Sequence, residues 1–383
     1  MSYKRTKESI VAVQAYLQAD NSLDLFHEEH GIRGKSDGNH IILNYDMLSV
    51  DWAQPYGWAC RGLVLCAHTF NVLGFGLNKF FNSREDNAAT INWETAKIFE
   101  KIDGTMLNRW FSPYTGKFEY STRYQLPGDL EANIINDTGI TWKALVDRCV
   151  GDLPDSLNQL ETETIIFEIT SDINRVVVKH NGFNCTLLAR RCNQTLQEVD
   201  LSEHPLAPRT FNFSSLEEIT LFANKLKGTE SEGYVVVDDQ FNRIKIKGEE
   251  YVRLHHLKNN SAGSLKRLIL AIRHGEFDEV VSYFPEFKQP MVSIQLVIDN
   301  LIAQHSNCYE RIKDIQEQKE FALTLQSKKL LLPGLLFITR AGKANSVEEA
   351  FNLMDDNKFI KYIEPLVKQA GITCGALGED NDS

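Results

Sequence analysis

The 383-residue sequence has no apolar run approaching the ~18 residues that cross a bilayer, so a membrane-spanning helix is not expected. Its opening, "MSYKRTKESIVAVQ", lacks the long apolar stretch and small-residue cleavage site of a secretory signal. The seven cysteines include no CxxC pair, which argues against a disulfide framework and for reduced thiols in a cytoplasmic compartment. Several catalytic signatures are missing too. "GFGLNK" (74–79) is not followed by the GxxxxGK[ST] of a P-loop, and there is no GxSxG elbow. In "HEEH" (27–30) only two residues part the histidines, one short of the spacing that puts both on one helix face, and His and Cys nowhere stand at metal-ligand spacing. A net charge of −11 argues against a general nucleic-acid coat protein but leaves room for a local basic groove, and "RIKIKGEEYVRLHHLK" is locally basic.

What is present falls into two textures. To about residue 255, β-branched and aromatic runs ("HIILNY", "RGLVLC", "KFEYSTRY", "ETIIFEIT", "RVVVKH", "CTLLARR", "EGYVVV", "RIKIK") alternate with Gly, Asn and Asp clusters, which reads as antiparallel strands with some helices between them. After "NNSAGS" (259–264) the spacing becomes helical: Met291, Ile294, Val297, Leu301 and Ile302, continued by Tyr309, Ile312 and Ile315. Pro333-Gly334 interrupts it, and Ser346 with Glu349 has capping-box spacing. The expected fold is α+β: an N-terminal domain (1–255) of antiparallel sheets, a helical C-terminal domain (256–375), and an acidic disordered tail (376–383).

Within the first domain, "IFEKIDGTMLNRW" sets Lys101 in an apolar run one step before an acid and a glycine. Two readings are open: a strand-end lysine with its ammonium in water, or a nucleophile held in a pocket. In "RIKIK", period-2 alternation puts Lys245 and Lys247 about 7 Å apart on one face, with Ile244 and Ile246 on the other. That is either a cationic clamp of phosphate dimensions or an edge strand protected by lysines. In "TIIFEIT", Glu168 points away from Ile165, Phe167 and Ile169, toward ribose hydroxyls or toward water. Arg61 and Lys79 each sit beside an apolar run.

The order of these elements is more informative than any one of them. An Arg-Gly strand, "KFFN", KxDG, a strand ending in FE, "EGYVVV" and "IKIK" together resemble the covalent nucleotidyltransferases. Within that superfamily, residues 40–256 look most like the phage RNA ligase 1 family of ATP-dependent tRNA-repair ligases. The resemblance implies that Lys101 takes AMP from ATP, passes it to an RNA 5′-phosphate, and that a 3′-hydroxyl then displaces it. It also implies roles by position. Lys101 is the nucleophile, and Gly104 permits the turn after it. Arg61 and Lys79 bind phosphates or ribose, Phe81 shapes the pocket, and Glu168 contacts ribose. Glu232 and Gly233 form the next motif, Lys245 and Lys247 contact the α-phosphate, and Tyr251 is the aromatic beyond them. Asn44 or Tyr45 is expected at the nucleotide, and Asp278 with Glu279 is the nearest match to the family's acidic metal-binding pair, with a solvated helix face as the other reading. The implied cofactors are ATP and Mg²⁺, or Mn²⁺. Where the family often carries a lysine after KxDG, this chain has Thr122 and Arg123, and arginine cannot be deprotonated in the same way.

A free lysine titrates near ~10.4, so baring its lone pair at pH ~7.5 costs about 4 kcal/mol. Lys245, Lys247 and an apolar pocket are expected to lower that value, against Glu100, Asp103 and Glu168. The helical C-terminal texture argues against the OB-fold of DNA ligases and capping enzymes. The expected partner is therefore RNA with 5′-phosphate and 3′-hydroxyl ends, nicked tRNA above all, alongside an end-healing polynucleotide enzyme. "KRLILAIRH" (266–274) offers either one wall of a basic groove or an ordinary amphipathic helix. A GTP-using capping-type guanylyltransferase and a non-catalytic RNA-binding relative are the alternatives. A phage-like origin would place the protein in the infected cell's cytoplasm.

Overall fold

The computed structural model describes residues 2–47, 49–135, 138–151, 157–258, 261–275, 277–284 and 287–372. The expected acidic tail lies outside them. The chain divides into two compact units, Met1–His256 and Leu257–Ser383, and the fold is α+β. Among the described residues, no helix is long and apolar enough to cross a membrane.

The first unit begins with helices α1 (Ser2–Gln18) and α2 (Leu23–His30), followed by three sheets. Strand labels follow chain order. The first sheet is β1 (Ile32–Ser36), β2 (His40–Tyr45), β3 (Arg61–Cys66) and β4 (Val72–Gly74), all antiparallel. The second runs β11 (Glu198–Val199), β10 (Asn184–Cys192), β9 (Glu163–Thr170), β7 (Thr105–Ser112), β8 (Lys117–Ser121). The third runs β12 (Thr210–Phe211), β6 (Lys97–Lys101), β13 (Gly233–Val237), β14 (Arg243–Lys247), β5 (Phe81–Asn82). The expectation of antiparallel pairing fails at one place: β5 joins β14 in parallel. Helices α3 (Pro127–Ala132), α4 (Trp142–Val150), α5 (Leu216–Ala223) and α6 (Glu249–Lys258) complete this part of the chain.

The third sheet carries the expected site residues Lys101, Gly233, Lys245 and Lys247, and alternation explains how. Ile98, Tyr234, Val236, Ile244 and Ile246 point to one face and are buried with Ile219 and Ala223 of α5. Each fully buried aliphatic side chain contributes roughly 1.5–3 kcal/mol, so the strands cannot slip by one residue without turning this core outward. The other face is fixed in consequence. Register places Lys101, Gly233 and Lys247 in one row across β6, β13 and β14, then Phe99, Val235 and Lys245, then Lys97, Val237 and Arg243.

The row of Lys97 and Arg243 is tied to the second sheet. Lys97 pairs with Asp200, and Arg243 pairs with Glu198, which also holds Arg191 of β10. Glu198 is buried, and so is Arg191, whose guanidinium further donates to the Gly76 carbonyl at 2.7 Å. Burial alone would raise the Glu198 carboxyl, but the two guanidiniums outweigh it and hold the group at about 2. One carboxylate thus locks the two sheets at this end.

One expected strand is absent. "RVVVKH" (175–180) forms no ladder, because the Val177 and Val178 N–H groups donate instead to the buried Asp103 carboxylate, at 2.8 and 2.7 Å. Both valines are buried, so their apolar character is used without a β-partner.

The second unit is helical: α7 (Ser261–Arg273), α8 (Phe277–Tyr283), α9 (Lys288–Ile312), α10 (Gln318–Ser327), α11 (Gly334–Arg340), α12 (Val347–Asn352) and α13 (Asp356–Gln369). Met291, Ile294 and Leu301 are buried along α9, as the spacing predicts, and the helix stops at Ile312 short of Ile315. Pro333 caps α11, and Ser346 caps α12 by accepting from the Glu349 N–H at 3.0 Å. Glu349 does not close the capping box; it accepts from the Asn345 N–H at 2.7 Å. His305 of α9 is fully buried, accepting from the Leu332 N–H at 3.1 Å through Nε2 and donating from Nδ1 to the Leu301 carbonyl at 2.8 Å. Burial lowers its pKa, which keeps it neutral.

Replacing Glu198 by Gln leaves two buried guanidiniums without their counter-ion, and a loss of about 3–5 kcal/mol is expected in urea unfolding of the protein. Because the folded-state pKa is depressed, the wild-type contribution is complete above the unfolded carboxylate value of about 4.3 and disappears as pH falls through about 2. The variant should therefore lose stability at neutral pH and approach wild type in acid.

Candidate active site

Lys101 ends β6, and its row neighbour Gly233 has no side chain to stand between it and Lys247. Glu232, one residue earlier, fills that position with a carboxylate. The Lys101 ammonium lies 2.7 Å from Oε2, and the Lys247 ammonium lies 3.1 Å from Oε1. Glycine is required at 233 for two reasons. Its φ is +141°, and a Cβ there would lie 2.1 Å from the Ile246 carbonyl oxygen, 2.9 Å from the Lys247 Cα. Any side chain would push β14, and with it Lys247, off the sheet.

The electrostatics of this trio correct the sequence expectation. Burial does act to lower the Lys101 pKa, but Glu232, Glu168 and Asp103 together raise it above the ordinary lysine value. The neighbouring Lys247 does not reverse this, because Glu232 answers it too. Burial would raise the Glu232 carboxyl, and the two ammonium groups lower it instead. Without substrate, Lys101 is therefore a charged lysine in a closed ion pair and carries no free lone pair.

Asp103 and Gly104 follow the lysine and hold its strand to the second sheet. The Asp103 carboxylate accepts from the Val177 and Val178 backbones and from the Tyr251 hydroxyl at 2.6 Å. Burial and Glu232 raise its pKa, while those donors lower it; the net direction is upward. Tyr251, on α6, is raised well above its ordinary value by burial and the surrounding carboxylates. Its ring also lies 5.4 Å from the Lys247 ammonium. His180 Nε2 contacts the Asp103 carbonyl at 2.9 Å. At Gly104 the need for glycine is close approach, not a left-handed turn: a Cβ would stand 2.5 Å from the Ile169 carbonyl and 3.1 Å from the Glu168 Cγ.

Glu168 lies opposite Met106 and Thr186 on β9, half-buried, and its charge is felt at both Lys101 and Tyr251. Arg61, at the start of β3, reaches the same strip through an Nη1–Met106 Sδ contact of 3.0 Å. A second group forms around Lys79, which is buried with its ammonium 5.1, 5.9 and 5.3 Å from the Tyr45, Trp52 and Phe81 rings. Lys245 is buried with its ammonium 6.0 Å from the Phe80 ring, and so adjoins this group.

Arg123 takes a defined place. Its guanidinium stacks 4.4 Å from Tyr45, and its Nε donates to Asn44 Oδ1 at 3.3 Å. Asn44 also accepts from the Gly62 N–H at 2.9 Å and donates to the Arg123 carbonyl. Its amide braces Arg123 and β3. Thr122 is buried beside it. Asp278 is exposed on α8 of the helical unit, and the Glu279 side chain lies outside the described residues. Among the described residues, no three His, Cys, Asp or Glu side chains gather as a metal cage.

Sequence reading passes over Glu198, Arg191 and Arg243 as a unit. Their only local signal is charge, and β11 is too short to show a period.

Gly104→Ala and Gly233→Ala are each expected to lower stability by about 1–3 kcal/mol in thermal unfolding. Gly128→Ala, where a Cβ meets nothing within 4 Å, should leave it unchanged.

No protein-family model matches the chain. Among curated proteins it is similar to the putative bifunctional polynucleotide kinase/RNA ligase of Autographa californica nuclear polyhedrosis virus, with 27% identity over 364 residues. The match covers 88% of this chain and 50% of that protein, so the chain spans about half the length of the relative. Among solved structures it is similar to a lysine-to-alanine mutant of Naegleria gruberi RNA ligase with ATP and Mn, at 14% identity and a TM-score of 0.31, over 42% of this chain and 51% of that one. The same ligase with PPi gives 15% identity, a TM-score of 0.31, and the same coverage. The sequence likeness is thus to a viral protein named for RNA ligation, and it runs through most of this chain.

Proposed function

We propose that the protein is an ATP-dependent RNA ligase that works through lysyl-AMP. The observation that carries this reading is the single carboxylate of Glu232 shared by Lys101 and Lys247 across Gly233. A binding surface has no need of a buried lysine held in this way beside a second lysine of phosphate-clamp geometry. The likeness to the viral RNA ligase supports the same reading.

In the resting protein Lys101 is protonated. A triphosphate entering the cleft offers Lys247 a more highly charged anionic partner than half of a carboxylate. With Lys247 drawn away, Glu232 loses one of the two cations that lower its pKa and becomes more basic. It is also 2.7 Å from the lysine that must lose a proton. The freed Nζ lone pair attacks the α-phosphorus, the bond to the β-phosphate oxygen breaks, and pyrophosphate departs. An RNA 5′-phosphate oxygen next attacks the same phosphorus, which breaks the N–P bond and restores Lys101. Finally the 3′-hydroxyl oxygen attacks the RNA 5′-phosphorus and AMP leaves.

Lys245 and Lys247 would stabilise charge on the α-phosphate, Arg61 and Lys79 would hold the outer phosphates, and Glu168 would receive the ribose hydroxyls. Tyr45 and Phe81 would shape the pocket, and Asn44 would act by positioning Arg123. A divalent cation, Mg²⁺ or Mn²⁺, would fit this site as a companion of the triphosphate, since the described residues supply the Glu168 and Glu232 carboxylates but no cage; bound, it would neutralise phosphate charge.

The substrate we infer is RNA with 5′-phosphate and 3′-hydroxyl ends, with nicked tRNA as the form that the sequence resemblance implies. An end-healing kinase is a fitting partner, because the viral relative's name joins those two activities.

The test is label transfer from α-labelled ATP or GTP with Mg²⁺, read on a denaturing gel. Wild type should take label from ATP alone, Lys101→Ala should take none, and Lys247→Ala should label about 10²–10³-fold more slowly. Label from GTP would point to capping chemistry. No label on folded, AMP-free protein would leave only a binding role.

A further inference from the structure

Beside the Lys79–Asn82 segment lies a cavity of about 190 Å³ to which no role has been assigned above. Its walls interleave cations with aromatic rings. Arg5 of α1 stands 4.6 Å from the Trp58 ring, Lys79 stands 5.3 Å from Phe81, and Arg243 stands 5.9 Å from Phe241. Among the described residues, Asp86 is the one acid lining it. Arg243 is not cancelled by its ion pair, because Glu198 is shared between two guanidiniums. A locally basic, ring-lined cavity in a chain of net charge −11 calls for a specific anionic ligand.

We infer that this cavity receives a nucleotide of single-stranded RNA, with the base against Trp58, Phe80 or Phe241 and the phosphate beside Arg5. The inference rests on the ligase reading and extends it from chemistry to substrate docking. Cationic walls that track a backbone, interleaved with aromatic rings on which any base can stack, are how single strands are held without sequence preference, and Trp58, Phe80 and Phe241 are half-buried here. The cavity is also continuous with the candidate site. Lys79 and Phe81 belong to both, and Arg243 follows Lys245 and Lys247 on the same strand face at steps of about 7 Å. A strand lying here would bring its neighbouring nucleotides along that row toward Lys101. Asn87 and Thr90 add polar groups that base edges can use.

Nucleotide chemistry could come from RNA or from ATP, and Arg5 separates them. It is exposed and stands over the Trp58 ring, away from the Lys101–Glu232–Lys247 trio, so its replacement spares that trio. The experiment measures fluorescence anisotropy of a 5′-phosphorylated single-stranded oligoribonucleotide with wild type, Arg5→Glu and Arg5→Lys at two salt concentrations. The KM for ATP in self-adenylation is taken on the same samples, and the wild type is photo-crosslinked to the oligonucleotide carrying 4-thiouridine.

Arg5→Glu should weaken RNA binding about tenfold or more and flatten its salt dependence, while Arg5→Lys keeps most of the affinity and neither moves the KM for ATP. Crosslinks should fall on peptides containing Trp58, Phe80 or Phe241. Unchanged RNA binding by Arg5→Glu, or crosslinks confined to other peptides, would overturn the inference. So would a raised KM for ATP with RNA binding intact, which would give the cavity to ATP. A wild type that fails to label with ATP defeats the ligase reading, while the binding and crosslinking results still decide the cavity.

Discussion

The Glu232 carboxylate, held by Lys101 on one oxygen and Lys247 on the other, is the interaction on which the site depends. A buried carboxylate is costly unless paired, and two buried ammonium groups are costly without it. The three charges are therefore stable only together, and the backbone is built to keep them together. Gly233 clears the row between the lysines, and the apolar reverse face of the third sheet fixes the register that puts them in one row. Arrival of a polyanion changes the balance, because it gives Lys247 another partner. On the proposed ligase reading, the resting ion pair would store the nucleophile in its inactive protonation state until the triphosphate draws Lys247 away.

The second constraint lies at the opposite end of the same face. Glu198 binds Arg191 from the second sheet and Arg243 from the third, and Asp200 binds Lys97 close by. These pairs fasten the sheets at the end of the face away from Lys101. At the end where Lys101 stands, Asp103 makes the connection through backbone N–H groups and Tyr251, and Gly104 lets β9 approach closely enough for Glu168 to face the lysine. Glu168 is thus brought to face the lysine by close packing at Gly104 and by the hydrogen bonds that the Asp103 carboxylate accepts.

Much of this was legible in the residues. Period-2 alternation in "RIKIK" and "TIIFEIT" put the lysines and Glu168 on the faces where they stand, because one face of each strand had to be apolar. The α+β class with a helical second part followed from the same reading of period. The failures have one cause, contacts between residues far apart in the chain. "RVVVKH" has strand composition, but an acid 74 residues away takes its N–H groups. Lys101 looked like a lysine whose pKa neighbouring cations would lower. Only the fold shows that Glu232, 131 residues later, bonds to it and to one of those cations at once. Glu198 belongs to a strand too short to announce itself.

The most direct measurement is the titration of Lys101 itself, followed by NMR after isotopic methyl labelling of the lysines, in wild type and in Glu232→Gln without nucleotide. The account expects Lys101 to titrate above the ordinary lysine value in wild type and to fall when the carboxylate is neutralised. A wild-type Lys101 already titrating below the ordinary value, and indifferent to Glu232→Gln, would contradict the shared ion pair and with it this description of the resting site.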